Sequence, residues 1–88
     1  MIQKNFTITT EAGLHARPST VLVSSASSFK SDIFIEYNNK KVNFKSIMGV
    51  MSLGVSHNSV VTISADGVDE TEALQTIEDT MRKERLGK

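Results

Sequence analysis

The chain has 88 residues, of which 39% are hydrophobic and 23% are charged, and its formal net charge is zero. This length and composition predict one globular domain, residues 1–88, with a small core, and the zero net charge supplies no basic field for nucleic acid or an anionic membrane. The chain has no cysteine, which excludes disulfides, thiolate metal sites and cysteine catalysis.

The first predicted elements are a strand and a helix. Apolar side chains share one parity between Ile2 and Ile8, while polar side chains take the other, which predicts a strand with one wet face. Pro18 suits the first turn of a helix, because its missing N–H costs nothing there. The apolar stripe that follows predicts a helix of about 10 residues. Its members are Leu22, Ala26 and Phe29.

A hairpin is predicted next. Apolar residues alternate over residues 33–37, and residues 41–44 are predicted to form the returning strand. Asn38 and Asn39 between them are predicted to form a two-residue turn, because asparagine tolerates positive φ. Phe34 falls on the opposite parity and is expected to be exposed.

The second half of the chain predicts a short helix, a fourth strand and a last helix. Ser46 is the predicted N-cap of the short helix, which ends before Gly54. Alternation over residues 61–65 predicts the strand. Asp69 with Glu72 resembles a capping box for the last helix. The predicted buried face of that helix carries Leu74, Ile77 and Met81.

The element order, β-α-β-β-α-β-α, indicates an α+β fold. Strands with one wet face need helices only on the other face, so an open-faced sandwich is expected, with the helices on one face of a four-stranded, mainly antiparallel sheet. A right-handed crossover makes the first two strands parallel. The fourth strand is predicted to insert between them, antiparallel to both.

His15 is the candidate functional residue, because it immediately precedes the first helix. The first N–H groups of a helix have no internal partner and carry the positive end of its dipole. Gly13 allows close approach of the backbone, and Arg17 adds donors matched to phosphate. Gly13, Ala16 and Arg17 are therefore the predicted cradle for an anion. Neutral imidazole is also nucleophilic near pH 7. His15 is therefore predicted either to bind an anion or to carry a phosphoryl group. The alternative is an ordinary surface or capping histidine.

The surroundings of His15 favour a carrier over an enzyme. No general base or second histidine accompanies it locally, and hydrolytic enzymes usually need such a partner. Two other classes stay open: a regulatory module whose main event is modification of Ser46, and a domain that binds a small phosphorylated ligand without a covalent bond. The second histidine, His57, lies in a polar loop and gives no ligand spacing with His15, so no metal and no cofactor are expected.

Two motifs stand out, GLHARP at residues 13–18 and KSIMGVMSLG at residues 45–54. Both resemble signatures of the HPr family, the histidine phosphocarriers of the bacterial phosphotransferase system for sugar uptake, and length and element order agree from end to end. The resemblance implies that His15 accepts a phosphoryl group at Nδ1 from Enzyme I, which draws it from phosphoenolpyruvate. It also implies transfer to the IIA domains of sugar permeases, with Arg17 steadying the phosphoryl group.

The motif around Ser46 is similar to the form found in low-GC Gram-positive bacteria. This resemblance implies that an HPr kinase/phosphorylase modifies Ser46, and that the product binds a catabolite-control transcription regulator in carbon catabolite repression. From the residues alone, Ser46 is more often a plain N-cap. The two roles are compatible, because a phosphate at an N-cap meets the positive end of the helix dipole.

The helix after Ser46 is unusually apolar, with five large apolar residues among the eight at 47–54. A two-turn helix buries only one stripe, so Val50 and Leu53 are predicted to face the sheet. The alternative is that all five lie in the core. An exposed apolar cluster usually marks a partner site, and methionine suits several partners. The predicted partner surface on this helix consists of Ile47, Met48 and Met51.

Analogy with the family fold adds Thr20 and Val23 to this docking surface. Ala12 departs from the family pattern, in which a small hydroxyl or polar residue is common, so backbone or water must replace any role of that side chain. Asn39 and Arg85 also depart, at positions where glycine and a small residue, respectively, are common.

No apolar run approaches the roughly 20 residues that span a bilayer. The first residues also lack the pattern of a signal peptide. A cytoplasmic location, a monomeric state and the absence of nucleic-acid or membrane partners are therefore expected.

Overall fold

Four strands and three helices make up the chain, and the computed structural model describes all of residues 1–88. The strands are β1 (Ile2–Thr7), β2 (Asp32–Tyr37), β3 (Lys40–Asn43) and β4 (Val60–Asp66). The helices are α1 (Ala16–Ala26), α2 (Ile47–Ser52) and α3 (Glu70–Lys83). The predicted element order is confirmed. None of the three helices has both the length and the hydropathy needed to cross a membrane.

The sheet has the order β1-β4-β2-β3, and each neighbouring pair is antiparallel. The predicted insertion of the fourth strand between the first two is therefore confirmed. On the central strand, Ile63 lies opposite Ile35 of β2, and Val61 lies opposite Phe6 of β1. These side chains belong to one cluster of 20 buried hydrophobic residues between the sheet and the helices. The other sheet face is polar, with a hydrogen bond from Thr62 to Asn5 of 2.7 Å.

Local details confirm some predictions and correct others. Asn38 and Asn39 form the hairpin turn with φ of 51° and 64°, because asparagine is among the few residues that enter this region. Arg85 has a φ of 57°, the conformation that glycine adopts most easily. The predicted helical stripe was wrong at its end: α1 stops at Ala26, and Phe29 packs against the core from the following loop.

The predicted capping box at the start of α3 was also wrong. Asp69 is the N-cap residue, but its side chain makes no cap hydrogen bond. Its carboxylate instead accepts hydrogen bonds from the Ser31 hydroxyl and from the backbone N–H groups of Lys30 and Ser31. These bonds, led by that from the Ser31 hydroxyl, hold the pKa of Asp69 below its usual value. The Asp69 carboxylate oxygens, which were expected to cap α3, are therefore bonded to the loop before β2.

One charged residue interrupts the apolar side of β1. Lys4 shares the parity of Ile2 and Phe6, and its ammonium group pairs with Glu78 of α3. Glu78 is only 8% exposed, and Arg82 also pairs with it at 2.7 Å. The two cations compensate a buried carboxylate. An inward charge on an edge strand also discourages pairing with another chain.

Candidate functional site

His15 is the N-cap residue of α1, with extended backbone angles of φ −81° and ψ −164°. Its carbonyl oxygen accepts the first hydrogen bond of the helix from the N–H of Ser19, at 3.1 Å. The imidazole makes no cap hydrogen bond, and the residue is exposed. The ring therefore stands on the surface at the positive end of the helix.

The first turn of α1 leaves its backbone donors open. The N–H groups of His15, Ala16 and Arg17 donate no hydrogen bond to a backbone or side-chain oxygen of the chain. Pro18, in the same turn, has no N–H. Open amides at the positive end of a helix dipole favour negative charge, so this turn has the donors for an anion held beside the imidazole.

Gly13 seats the segment that carries His15 against the loop after α2. Its φ is +70°, and a Cβ atom there would lie 2.2 Å from the carbonyl oxygen of Val55 and 2.9 Å from Cα of Ser56. The N–H of Leu14 donates to the same Val55 oxygen at 3.0 Å. Only glycine satisfies both the backbone angle and the close approach.

A shallow depression joins His15 to the loop after α2 and to one residue of that helix. Its walls are formed by Ala12, Leu14, His15, Met51, Gly54, Val55 and Ser56. His15 and Met51 of α2 therefore border the same space. Ala12 also borders this space, and its methyl side chain contributes no polar atom to it.

Arg17 does not line this depression. It is exposed, forms none of the ion pairs of the chain, and lines a second depression with Pro18, Val21, Glu84 and Leu86. The structure thus places the Arg17 N–H in the open turn beside His15, but does not bring the Arg17 side chain into the space that His15 faces. Since no partner holds the guanidinium, rotation of its long side chain breaks no ion pair.

The helix α2 has the two faces that its sequence predicts. Val50 is fully buried and Leu53 nearly so, as predicted, whereas Ile47, Met48 and Met51 are exposed, so the alternative that all five apolar residues lie in the core is wrong. The exposed fractions on the other side are 39% for Ile47, 77% for Met48 and 38% for Met51. These three residues, here called the apolar surface, are contiguous with the His15 depression through Met51.

The two predicted additions from α1 behave differently. Thr20 is exposed, and its hydroxyl donates to the Ala16 carbonyl oxygen at 2.8 Å. Val23 is only 7% exposed and belongs to the hydrophobic core, so its prediction as part of a docking surface was wrong. The helix contacts both α2 and α3, and its buried stripe is therefore wide enough to include Val23 next to Leu22.

Ser46 is the N-cap of α2, as predicted. Its Oγ accepts a hydrogen bond from the Gly49 N–H at 3.0 Å, and the residue is half-buried. Ile47 and Met48 follow it directly. Any group attached to this oxygen would therefore lie beside the apolar surface.

The sequence interpretation missed the residues that support the His15 segment from the other side. Gly13 signals a close approach, but nothing local indicates that Val55 and Ser56 are its partners. His57 is exposed and does not line the depression. The chain holds no group of three or more His, Cys, Asp or Glu side chains arranged for a metal ion.

The chain is similar to known phosphocarriers over nearly its whole length. Residues 2–83 match the family described as PTS HPr component phosphorylation site. The chain is 49% identical to HPr-C-His from Thermoanaerobacter tengcongensis, covering 94% of this chain and 93% of that one with a TM-score of 0.90. It is 44% identical to a Mycoplasma histidine-containing phosphocarrier protein, covering 97% of each with a TM-score of 0.93.

The Bacillus subtilis catabolite repression protein Crh is a third similar structure. It is 45% identical, with coverage of 96% of this chain and 97% of that one and a TM-score of 0.74, and it was crystallised as a domain-swapped dimer.

Proposed function

The chain belongs to the HPr family of the phosphotransferase system, whose members are phosphocarriers rather than enzymes, and we propose that its acceptor atom is Nδ1 of His15. The phosphoryl donor is Enzyme I, charged from phosphoenolpyruvate, and the acceptors are IIA domains of sugar permeases. The single observation that carries the assignment to His15 is an exposed side chain without a cap hydrogen bond, at a helix start with open amides. The choice of Nδ1 follows from membership of the family.

The transfer needs the neutral imidazole. The Nδ1 lone pair forms a bond to phosphorus as the bond from phosphorus to the donor breaks, and that electron pair leaves with the donor. The open N–H groups of Ala16 and Arg17 then lie at the end of the helix that favours the added negative charge. The Arg17 guanidinium reaches the phosphoryl group by rotating from its own depression, and its forked donors suit phosphate.

The apolar surface, together with Thr20, docks both donor and acceptor. Support for this comes from the exposure of Ile47, Met48 and Met51 and from the depression that Met51 shares with His15. Methionine side chains adapt to several partners. A small apolar contact also suits a carrier, which has to release each partner after transfer.

Incubation with Enzyme I and phosphoenolpyruvate tests the carrier assignment. Mass spectrometry should detect one acid-labile phosphate on the wild-type chain. His15→Ala should abolish this label, while His57→Ala, the matched control at the other histidine, should keep it. An unlabelled wild type, or a label that persists in His15→Ala, would contradict the assignment.

Ser46 is proposed as a regulatory phosphorylation site. An HPr kinase/phosphorylase modifies it, and the product binds a catabolite-control transcription regulator, which links the chain to catabolite repression. Support comes from the half-buried Ser46 hydroxyl that directly precedes Ile47 and Met48. A dianionic phosphate beside these side chains opposes apolar docking and favours a partner that supplies Arg or Lys.

The substitution Ser46→Asp tests this regulation. It places a negative charge beside the apolar surface, so phosphorylation of His15 by Enzyme I should slow. Ser46→Asn is the matched control of similar size without charge, and should slow transfer much less. Equal rates for the wild type and Ser46→Asp would count against the regulatory role.

A second candidate is a regulatory module in which Ser46 phosphorylation is the main event, since the chain is as similar to the catabolite repression protein Crh, at 45% identity, as it is to phosphocarriers. Acid-stable phosphate that forms only with ATP and a kinase, without the acid-labile label, would select this candidate. The two candidates therefore give opposite results in the same pair of reactions.

We also propose that the chain is a cytoplasmic monomer. The inward Lys4 on β1 supports the monomer, because it discourages pairing at that sheet edge. Crh was crystallised as a dimer, so light scattering across a range of concentrations is the appropriate measurement. A constant mass near 9.7 kDa is expected, and a mass twice as large would contradict the monomer.

A further inference from the structure

Three hydroxyl groups meet between the end of β2 and the loop before β4. The Tyr37 Oη lies 3.1 Å from the Ser59 Oγ, and the Ser59 Oγ lies 3.1 Å from the Ser56 Oγ. Hydrogen bonding with Ser59, and then with Ser56, holds the pKa of the Tyr37 phenol below its usual value. These residues, here called the tyrosine network, join two parts of the chain that are 22 positions apart.

The tyrosine network is attached to the loop that supports the His15 segment. Ser56 lines the His15 depression, and its Cα would lie 2.9 Å from a Cβ placed on Gly13. The Val55 carbonyl accepts the hydrogen bond from the Leu14 N–H. A displacement of residues 55–56 would therefore move the two residues that immediately precede His15.

A second connection runs through the other end of the same loop. The carbonyl oxygen of Ser59 accepts a hydrogen bond from the Ile8 N–H at 2.8 Å, and the Asn58 N–H donates to the Ile8 carbonyl oxygen at 2.8 Å. Ile8 lies just before the segment that leads to His15. The loop thus holds that segment at Ile8 and at Leu14. The tyrosine network holds the loop itself, through the hydroxyls of Ser56 and Ser59.

We propose that Tyr37 and Ser59 are positioning residues for phosphoryl transfer at His15. This inference rests on the proposed carrier function. The two hydroxyls do not line the space that the imidazole faces; they act through Ser56 and Val55, which set the place of Gly13 and Leu14. Because transfer rates depend steeply on the placement of the attacking atom, loosening this support lowers the transfer rate and leaves the acceptor atom intact.

Tyr37→Phe tests the proposal, because it removes one hydroxyl and keeps the ring. The expected result is a roughly threefold to tenfold fall in kcat for transfer from Enzyme I, the range for loss of one partly buried hydrogen bond. Thr62→Val is the matched control: it removes the 2.7 Å hydrogen bond to Asn5 on the polar sheet face and should leave kcat unchanged. A wild-type kcat in Tyr37→Phe, or an equal fall in Thr62→Val, would overturn the proposal.

Two further measurements separate positioning from a general loss of stability. In Tyr37→Phe the amide hydrogen of Leu14 should exchange faster with solvent, and in Thr62→Val it should exchange at the wild-type rate. The double variant Tyr37→Phe, Ser59→Ala should lose no more activity than the larger single effect, because the two hydroxyls form one network. Additive losses, or unchanged Leu14 exchange in Tyr37→Phe, would contradict the inference.

The controls also distinguish the two proposals. An unlabelled wild-type chain overturns the carrier function itself. A labelled wild type whose kcat and Leu14 exchange are insensitive to Tyr37→Phe leaves the carrier function standing and rejects only the positioning role.

Discussion

The starts of α1 and α2 differ in how the first backbone N–H groups of the helix, which have no partner inside it, are satisfied. Each N-cap residue has an extended backbone, but the Ser46 side chain accepts a hydrogen bond from its own helix, whereas the His15 side chain accepts none. The helix that His15 precedes consequently keeps open amides. One cap stabilises its own helix, whereas the other leaves the backbone donors of its helix available to an anion.

The same difference separates the two proposed phosphorylation sites. A phosphoryl group on His15 would arrive where backbone donors are unused. A phosphate on Ser46 would be attached to an oxygen that is already bonded to the Gly49 N–H, so its main effect is charge beside the apolar surface. The first site is suited to holding a group for transfer, and the second to changing which partner binds.

Gly13→Ala should have the largest effect, because it disturbs the close contact between the segment before His15 and the loop after α2. The left-handed backbone costs about 1–2 kcal/mol for alanine, and the contact of 2.2 Å with Val55 adds to it, for a total loss of about 2–4 kcal/mol in unfolding free energy. Gly54→Ala is the matched control, with a φ of +64° and nothing within 4 Å. Urea denaturation should show the smaller loss for Gly54→Ala; equal losses would contradict the crowding argument.

Arg17→Ala should have the next largest effect, on transfer instead of stability. Loss of a charge-assisted hydrogen bond to the phosphoryl group, about 1.5–3 kcal/mol, should lower kcat/KM with Enzyme I by about 10-fold to 100-fold. Lys83→Ala removes the same charge from the end of α3 and should change little. If Arg17→Ala transfers at the wild-type rate, the guanidinium plays no part and the open amides suffice.

Ser46→Ala against His15→Ala tests the comparison of the two caps directly. Removing the Ser46 oxygen deprives the Gly49 N–H of its partner and should cost about 1 kcal/mol in unfolding free energy. His15→Ala removes no cap bond and should stay within about 0.5 kcal/mol of the wild type. A larger loss for His15→Ala would show that the imidazole stabilises α1 after all.

Asp69→Asn extends the comparison to the third helix start and should have the smallest effect. The pKa of Asp69 is held below its usual value of 3.8, so its carboxylate stabilises the folded chain above that pH. This contribution is lost as the pH falls through the lower folded-state pKa. Asp69→Asn should therefore unfold more easily than the wild type at pH 7, and the two should converge in strong acid.

The control for this pH dependence is Ser31→Ala, which removes the hydroxyl that contributes most to the shift. Its difference from the wild type should likewise shrink in acid. Denaturant curves from pH 7 down to strong acid provide the measurement. A gap between wild type and Asp69→Asn that widens as the pH falls would contradict the assigned sign.

Much of the fold was predictable, because its signals act over a few residues. The turn at Asn38 and Asn39, the cap at Ser46 and the two faces of α2 each follow from neighbours along the chain. Connectivity rules then sufficed to place the fourth strand at the centre of the sheet. The predictions failed where distant residues compete for the same group, as at Asp69. They also failed where packing against distant helices buries a side chain, as at Val23.

By itself, the sequence determined the element order, the exposed imidazole ahead of a helix and the amphipathic helix that follows Ser46. Only the tertiary structure decided that Val55 and Ser56 hold the His15 segment, that Tyr37 reaches their loop, and that the Arg17 side chain lies on a separate depression. The physical reason is range: propensities, caps and hydrophobic periods depend on adjacent residues. Support for the site comes instead from contacts across the fold, which no local pattern specifies.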